Sequence, residues 1–439
     1  MKIAIKNIGP VSSAELIIGN ITIICGPNNS GKTYITHAIY GFFNMFRRLT
    51  KIQTKKEIEE LLTNGSTTLN INELAAKANS IMASTCVAYE KFLSTKSAPE
   101  KSTKKNLKFS LLFDDQDINI DDKYEKTYRI PFLKSITVSK DSKSDIATIT
   151  SEGDGIKHAK TVKSLCEAVI RISILDILFK KISLSATILS SERTSILYFK
   201  SAIYNSMTNP ELQQTDIQFP LSVQSNIDSL FNIESIAGKD SFLKVKHGHV
   251  LDLLKEIAGG SYIEHVDGLI GYQPTGIDEE LSLIESSSSA RSLLFLDLYI
   301  KHSAKPGDLL LIDEPEMNLH PKNQRKLARL VAQISNVGIK VLITTHSDYF
   351  LRELNTLIMM NDAKGDAKSV MSNYGYKEYE TISSENVRAY FTKKKPDGFF
   401  SLKELKVDST TGIEAETFDE EILEMNSIQD DLVWGKKHG

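Results

Sequence analysis

Cysteine is scarce in this 439-residue chain. Cys25, Cys86 and Cys166 are the only cysteines, and their spacing forms neither a disulfide framework nor a metal-binding pattern. We therefore expect reduced cysteines in the core of a cytoplasmic protein. The net charge is only −3, so no overall basic field attracts nucleic acid, although a balanced total leaves room for a local basic patch.

Membrane-spanning runs and sustained heptads are also missing from the sequence. The most apolar stretch, 168–179, carries Arg171 and Asp176 and is too short to cross a bilayer. The first six residues, Met-Lys-Ile-Ala-Ile-Lys, alternate as in a strand and do not form a signal peptide. No internal repeat and no long coiled-coil pattern occurs. We therefore expect neither membrane insertion nor a long coiled-coil lever.

A glycine-rich segment near the start carries the strongest positive signal. Residues 26–33, Gly-Pro-Asn-Asn-Ser-Gly-Lys-Thr, match the phosphate-loop pattern, between an apolar run and a helical pattern. The backbone N–H groups of such a loop, and the helix that follows it, bind phosphate. Lys32 would reach the β- and γ-phosphates of ATP, and Thr33 would ligate Mg²⁺. The predicted nucleotide-binding residues are Gly26, Pro27, Asn28, Asn29, Ser30, Gly31, Lys32 and Thr33.

A second motif lies much further along the chain, where the apolar residues 309–312 lead into Asp313 and Glu314. The pattern predicts a buried parallel strand that ends in two carboxylates. Ligands of open α/β sheets bind at that end of the strands. We expect Asp313 to hold Mg²⁺, directly or through water, and Glu314 to orient and deprotonate the water that attacks the γ-phosphate. ATP and Mg²⁺ are thus the expected cofactors.

Two further segments extend the predicted site. The β-branched segment 341–345 predicts another strand, and His346 would follow it as a contact to the γ-phosphate, with a capping or core role as the alternative. Four serines, 286–289, precede an apolar helix. Such a helix start binds anions, and it is equally a good N-cap, so the residues alone leave both interpretations open.

The order of these motifs resembles the ABC-type ATPase head, and more narrowly its RecF/SMC/OLD branch. That branch has Asp-Glu-Pro-Glu-x-x-Leu-His-Pro and Thr-His-Ser segments, which stand here at 313–321 and 345–347. The resemblance implies an α/β fold, with a phosphate loop, a mixed sheet flanked by helices, and a helical and β insertion between the two ATP motifs. It also implies that Ser287 or Ser288 contacts the γ-phosphate of a second subunit, although Ser289 stands where glycine is usual.

The motifs also divide the chain. We expect an ATPase core at 1–49, 187–204 and 260–360, a helical and β insertion at 50–186, a second insertion at 205–259, and an α/β extension at 361–439.

A short polar segment, Ser191-Glu192-Arg193-Thr194, follows a predicted strand. It resembles the Ala-Glu-Arg-Ser/Thr segment of OLD- and PtuA-like ATPases. That resemblance implies that Arg193 stabilises transition-state charge or bridges the interface between heads. The alternative is a helix cap with an exposed Arg–Glu pair.

The acidic residues after His346 do not predict a nuclease. OLD enzymes use a Toprim site with a Glu and an Asp-x-Asp cluster, and Asp362, Asp366 and Asp408 do not fall in that pattern. In length and motif forms the chain resembles stand-alone anti-phage defence ATPases, namely PtuA of Septu, the ATPase of PARIS and retron-associated ATPases. This implies a slow ATPase that oligomerises through its heads and acts as sensor or scaffold for a separately encoded nuclease or toxin. A phage signal would release the effector, and DNA or a phage protein is a further candidate partner.

Two alternatives stay open at this point. A RecF-like repair ATPase would bind DNA across an ATP-closed dimer, and the lysine-rich segments 101–108 and 393–395 are its candidate contacts. A transporter subunit fits poorly, because the insertion is long and the signature lacks the usual glycine pair.

Overall fold

The computed structural model describes residues 1–96, 106–118, 120–131, 133–153, 160–182, 185–199, 219–233, 238–266, 268–362, 367–414 and 424–432. Contacts divide the chain into two compact units. Unit 1 comprises Met1–Gly9 and Ala38–Ala186, and unit 2 comprises Pro10–His37 and Thr187–Gly439. Every residue predicted to bind ATP or Mg²⁺ falls in unit 2.

The strands are, in chain order, β1 (Lys2–Ile8), β2 (Val11–Ile17), β3 (Ile21–Cys25), β4 (Ser66–Asn70), β5 (Lys108–Leu112), β6 (Tyr124–Ile130), β7 (Leu133–Lys140), β8 (Ile146–Glu152), β9 (Ala186–Leu189), β10 (Gly260–Glu264), β11 (Ile270–Pro274), β12 (Leu281–Ser282), β13 (Leu309–Asp313), β14 (Lys340–Thr345), β15 (Val387–Lys394), β16 (Phe400–Leu405), β17 (Val407–Asp408) and β18 (Gly412–Ile413).

The helices are α1 (Lys32–Leu49), α2 (Lys55–Asn64), α3 (Ile71–Ala76), α4 (Ala78–Lys96), α5 (Lys160–Leu178), α6 (193–199), α7 (Leu221–Phe231), α8 (Phe242–Lys246), α9 (Gly248–Ala258), α10 (Ser288–Leu298), α11 (Pro321–Asn336), α12 (Asp348–Asp362), α13 (Ala367–Tyr374) and α14 (424–432).

The central sheet of unit 2 runs in the order β2-β16-β15-β3-β14-β13-β9. Strand β14 pairs in parallel with both β13 and β3, whereas β15 and β16 are antiparallel, so the sheet is mixed. Every residue of β3 and β13 is buried, as the continuous apolar sequence of these strands predicts. The predicted α/β class is confirmed.

The core of unit 2 forms between this sheet and its helices. Apolar side chains of the central strands pack with those of α11 and α12 in one cluster that includes Ile23, Leu310, Ile312, Leu330, Ile343 and Phe350. The two parallel strands β13 and β14 are in register from Leu309 with Lys340 to Asp313 with Thr344. Because parallel strands end at the same edge of a sheet, this register places the residues after Asp313 beside those after Thr344.

The C-terminal strands differ from the predicted division of the chain. Strands β15 and β16 lie inside the central sheet, and the residues from Val387 to Phe391 of β15 pair in parallel with the whole of β3. Val387, Ala389 and Tyr390 of β15 are buried. The predicted boundary at residue 361 therefore does not separate this segment from the sheet that carries the phosphate loop.

Unit 1 holds a separate antiparallel sheet in the order β4-β8-β7-β6, an antiparallel β1–β5 pair, and helices α2 to α5. Phe42, Tyr89 and Phe109 form an aromatic cluster in its core. The predicted helical and β insertion begins with helix α2 and strand β4, in which Thr67 and Leu69 alternate into the interior. Five residues in a short alternating run give too weak a pattern for prediction.

Two broader expectations can be compared with the fold. Cys25, Cys86 and Cys166 are buried and unpaired, as predicted. Among the helices within the described ranges, none combines the length and the apolar character needed to cross a bilayer. Within the predicted α/β extension at 361–439, residues 424–432 form a helix.

Candidate active site

The glycine-rich loop connects the buried strand β3 to helix α1. Gly26 and Gly31 have φ angles of 139° and 93°, which side-chain-bearing residues rarely adopt. A Cβ atom on Gly26 would lie 2.0 Å from Thr392 Oγ1, and one on Gly31 would lie 2.4 Å from Val11 Cγ2. Backbone angle and close packing therefore both require glycine at these positions.

Lys32 and Thr33 begin α1 and face the loop and the acidic strand end. Lys32 Nζ donates to the carbonyl oxygens of Gly26 (2.8 Å) and Pro27 (3.0 Å). Burial lowers the pKa of Lys32, and the nearby carboxylates oppose this shift. Thr33 Oγ1 donates to Asp313 Oδ1 at 3.3 Å, so the two predicted motifs meet in the fold.

Asp313 is fully buried at the end of β13. Its Oδ1 accepts hydrogen bonds from the hydroxyls of Thr33 and Thr344. Its Oδ2 is buried and has no hydrogen-bond partner among the described residues. Buried carboxylate oxygens normally have a donor or a cation. Mg²⁺ prefers one or two protein oxygens and completes its shell with phosphate and water, so Asp313 and Thr33 fit this ion.

Glu314 follows Asp313 in the left-handed backbone region, with a φ of 49°. Its N–H donates to the carbonyl oxygen of Thr344 (3.1 Å) and to Thr344 Oγ1 (3.2 Å). The carboxyl group is half-buried. Desolvation raises its pKa above the usual value, while the charge of His346 opposes the rise. A raised pKa makes the carboxylate a stronger proton acceptor.

His346 follows β14, beside the acidic strand end, as predicted. Its Nδ1 lies 3.8 Å from Glu314 Oε1 and 3.8 Å from Glu316 Oε1. Glu316 Oε1 also accepts from the N–H of His346 (3.0 Å) and from Thr345 Oγ1 (2.8 Å). The sequence pattern did not predict a role for Glu316. Its carboxylate holds the loop that carries His346, and the only sign of this was its place in the Asp-Glu-Pro-Glu segment.

These elements surround one cleft of about 580 Å³ in unit 2. Its lining comprises Pro10, Asn28, Asn29, Ser30, Gly31, Lys32, Thr33, Tyr34, Glu314 and His346. The volume falls in the range of ordinary small-molecule sites. The fold thus brings the phosphate loop, the Asp-Glu strand end and His346 together from three distant parts of the chain.

The serine-rich segment lies at the start of helix α10. Ser287 is the N-cap, and its Oγ accepts from the N–H of Ala290 at 3.1 Å. The N-cap interpretation is therefore confirmed. Ser287 and Ser288 are exposed, and neither is among the described residues that line the cleft of their own chain.

Arg193 occupies a different environment from the predicted one. Its side chain lies in the interior, with 1% of its surface exposed. The guanidinium donates to the backbone carbonyl oxygens of Ser190, Ser292, Asp313 and Glu314. A buried guanidinium held in this way is not available at a surface. Its position does not support the expectation that Arg193 bridges two heads or contacts the nucleotide.

Thr392 of β15 also contributes to the site. Its Oγ1 lies 2.6 Å from Ser30 Oγ and 3.3 Å from the carbonyl oxygen of Cys25, and it fills the space beside Gly26. The C-terminal strand therefore supports the phosphate loop. A threonine in an alternating strand carries no local signal of this role.

A phosphate loop facing an Asp-Glu strand end, on a mixed α/β sheet, defines a P-loop ATPase. The chain belongs to the AAA ATPase domain family, whose model matches residues 1–351. No curated protein matches the chain at a significant level. The predicted ATPase class is thereby confirmed.

Similar solved structures come from SMC heads. The SMC head bound to the C-winged helix domain of ScpA has a TM-score of 0.37 and 12% identity, over 92% of this chain and 97% of that chain. The SMC head domain from Thermotoga maritima has a TM-score of 0.31 and 12% identity, over 92% and 98% of the two chains. The Smc head with an extended coiled coil, bound to the C-terminal domain of ScpA derived from Pyrococcus furiosus, has a TM-score of 0.35 and 12% identity, over 98% of each.

Proposed function

We propose that the protein binds ATP in the cleft of unit 2, hydrolyses it slowly, and uses ATP to join two copies through their nucleotide sites. The convergence of Lys32, Thr33, Asp313, Glu314 and His346 around this cleft carries the proposal. Each of these residues has the chemistry that one part of phosphoryl transfer to water requires.

The roles follow from the contacts. The loop N–H groups and Lys32 bind the phosphates. The ammonium group of Lys32 lies against the loop, within hydrogen-bond distance of two of its carbonyl oxygens. Asp313 and Thr33 would hold Mg²⁺, which neutralises phosphate charge when it is bound. Glu314 orients the attacking water and accepts its proton. His346 contacts the γ-phosphate from the neighbouring strand end, held there by Glu316.

The serine-rich helix start supports the dimeric part of the proposal. Ser287 and Ser288 are exposed at the start of α10, where the positive end of the helix dipole and their hydroxyls favour an anion. These residues do not line the cleft of their own chain in the described structure, so the phosphate that they would contact belongs to a second copy. In this arrangement two chains complete two ATP sites.

Replacing Ser288 by arginine tests this arrangement. We expect Ser288→Arg to bind ATP with unchanged affinity but to lose ATP-dependent association, because the longer side chain blocks the approach of the second copy. Turnover should fall about tenfold or more, equivalent to about 1.4 kcal/mol. Calorimetry gives the affinity, light scattering gives the mass, and phosphate release gives the rate.

The control for this variant is Ser369→Arg, which places the same side chain at an exposed serine of helix α13. It should behave as the unmodified protein in all three measurements. Unchanged association and turnover in Ser288→Arg would leave the serine-rich segment with only its N-cap role.

We further propose that the ATP-dependent oligomer is a cytoplasmic sensor or scaffold in bacterial anti-phage defence, where it controls a separately encoded nuclease or toxin. The support is the resemblance of residues 191–194, 313–321 and 345–347 to the defence ATPases. A phage signal would release the effector, and DNA or a phage protein is a further candidate partner. An effector that acts only on a signal must be restrained in one state of its partner and released in another. An oligomer that closes with ATP and opens without it has two such states.

Purification of the protein together with the products of its neighbouring genes tests the partner. We expect a stable complex that contains several copies of this chain and an effector, with a mass that changes when ATP is added. A chain that stays alone, and dimerises only with ATP and duplex DNA in a salt-sensitive manner, would contradict this proposal and favour the RecF-like alternative.

A further inference from the structure

Arg193 begins helix α6 and connects three separate segments of unit 2. Its Nε donates to the carbonyl oxygen of Ser292 at 2.9 Å, within helix α10. Its Nη1 donates to the carbonyl oxygens of Ser190 (3.0 Å) and Asp313 (2.8 Å), and its Nη2 donates to that of Glu314 (3.0 Å). All four acceptors are backbone atoms, so these contacts fix main chain and not side chains.

The charge of Arg193 remains in place despite this burial. Desolvation lowers its pKa to about 10, and the carboxylates of Asp313, Glu316 and Glu314 oppose the shift. The group therefore stays protonated at neutral pH and acts only as a donor. Charged donors form shorter and stronger hydrogen bonds than neutral ones, and the planar guanidinium directs several of them at fixed angles.

The backbone of Glu314 is the part of the site that most needs such support. Its φ of 49° lies in a region that residues other than glycine rarely adopt. Such a conformation persists only where its surroundings over-determine it. The N–H of Glu314 donates to Thr344 on one side, and the carbonyl oxygen of Glu314 accepts from Arg193 on the other. These two residues together hold the peptide units from which the Glu314 carboxylate extends into the cleft.

The bond to Ser292 extends this support to the serine-rich helix. Ser292 lies in the second turn of α10, and the exposed residues Ser287 and Ser288 at the start of this helix form the proposed contact with a second copy. A displacement of α10 would move the Ser292 carbonyl oxygen relative to Arg193 Nε. The same guanidinium holds Glu314, so a single rigid group links the helix start to the position of the general base.

We propose that Arg193 is a positioning residue that holds the left-handed backbone of Glu314 and ties it to helix α10. The inference rests on the proposed ATP hydrolysis and adds a residue that lies behind the site and touches no substrate. Arg193 thus acts through Glu314, in contrast to the role that its sequence context implied.

The test compares Arg193→Lys and Arg193→Gln with the unmodified protein. We expect kcat to fall about 10- to 100-fold, because a small displacement of a catalytic group has an effect of this size, while the Kd of ATP changes less than about threefold. Lysine keeps the charge without the planar fork, and glutamine keeps two N–H donors without the charge. Phosphate release gives kcat, and calorimetry with ATP and Mg²⁺ gives the Kd.

A double-mutant comparison separates positioning from a general loss of structure. In a Glu314→Gln background, Arg193→Lys should cause no further loss of kcat, because residues that act as a unit are not additive. Lys140→Met is the matched control. Lys140 is a buried cation of unit 1 that donates to the carbonyl oxygens of Asp122 and Asp141, so its loss destabilises a similar environment without affecting Glu314.

Unmodified kcat in Arg193→Lys, or a full additional loss in the Glu314→Gln background, would overturn the inference. So would failure of both Arg193 variants to fold at any temperature tested by circular dichroism, because Arg193 would then be a folding determinant. If the unmodified protein hydrolysed ATP no faster than Lys32→Ala, the proposed function itself would be overturned. This outcome differs from the others because it does not depend on the Arg193 variants.

Discussion

Lys32→Ala should lose ATP binding, with an affinity at least about 100-fold weaker, equivalent to about 2.7 kcal/mol. The ammonium group of Lys32 faces the glycine-rich loop at hydrogen-bond distance from the carbonyl oxygens of Gly26 and Pro27. Phosphate in this loop would gain a charged donor from the same group. Calorimetric titration with ATP and Mg²⁺ measures the effect.

Two further variants make the Lys32 result specific. Lys32→Met keeps most of the side-chain volume and should lose affinity to a similar extent, because the charge and not the packing is responsible. Lys51→Ala removes an exposed lysine just after α1 and should bind ATP normally. Tight ATP binding by both Lys32 variants would show that residues 26–33 are not a phosphate site.

Glu314→Gln should retain ATP and hydrolyse it about 10³-fold more slowly, which lies within the usual range for loss of a general base. The amide cannot accept the proton of the attacking water, but it preserves the shape of the side chain. The backbone contacts of Glu314 with Thr344 and Arg193 do not involve its carboxylate and should persist. ATP then stays bound, so we expect closed oligomers to accumulate. Phosphate release and light scattering measure the two effects.

The control for Glu314→Gln is Glu279→Gln, which neutralises an exposed carboxylate of unit 2 that does not line the cleft. Its rate and mass should match the unmodified protein. If Glu314→Gln hydrolysed ATP at the normal rate, another group would have to accept the proton.

The parts of the site that could be predicted are those in which the residue types of one short segment are enough to indicate its role. Residues 26–33 combine glycines, a lysine and a helix start, and these are the features that bind phosphate wherever they occur together. Asp313 and His346 each follow an apolar strand, and parallel strands end at a common edge. For these residues, local sequence and one rule of sheet topology were enough.

The parts that could not be predicted depend on pairing between distant segments. Thr392 supports the phosphate loop only because β15 lies beside β3, and nothing within 387–394 indicates that neighbour. The charge of Arg193 suggests a residue at the surface or in contact with a ligand. Instead, the side chain is surrounded by carbonyl oxygens from segments far apart in sequence. Glu316 likewise acts through a distant segment, because its carboxylate accepts from the N–H of His346 in the loop after β14. Such roles follow from tertiary contacts and not from residue type.

The rate of phosphate release from ATP, per chain and as a function of protein concentration, tests both hydrolysis and the sharing of sites between two copies. We expect slow hydrolysis whose turnover per chain rises with concentration to a plateau, because a second copy completes each site. This hydrolysis should disappear in Lys32→Ala. No phosphate release at any concentration would contradict the ATPase assignment. A turnover per chain that stays constant from dilute to concentrated protein would contradict the completion of each site by a second copy.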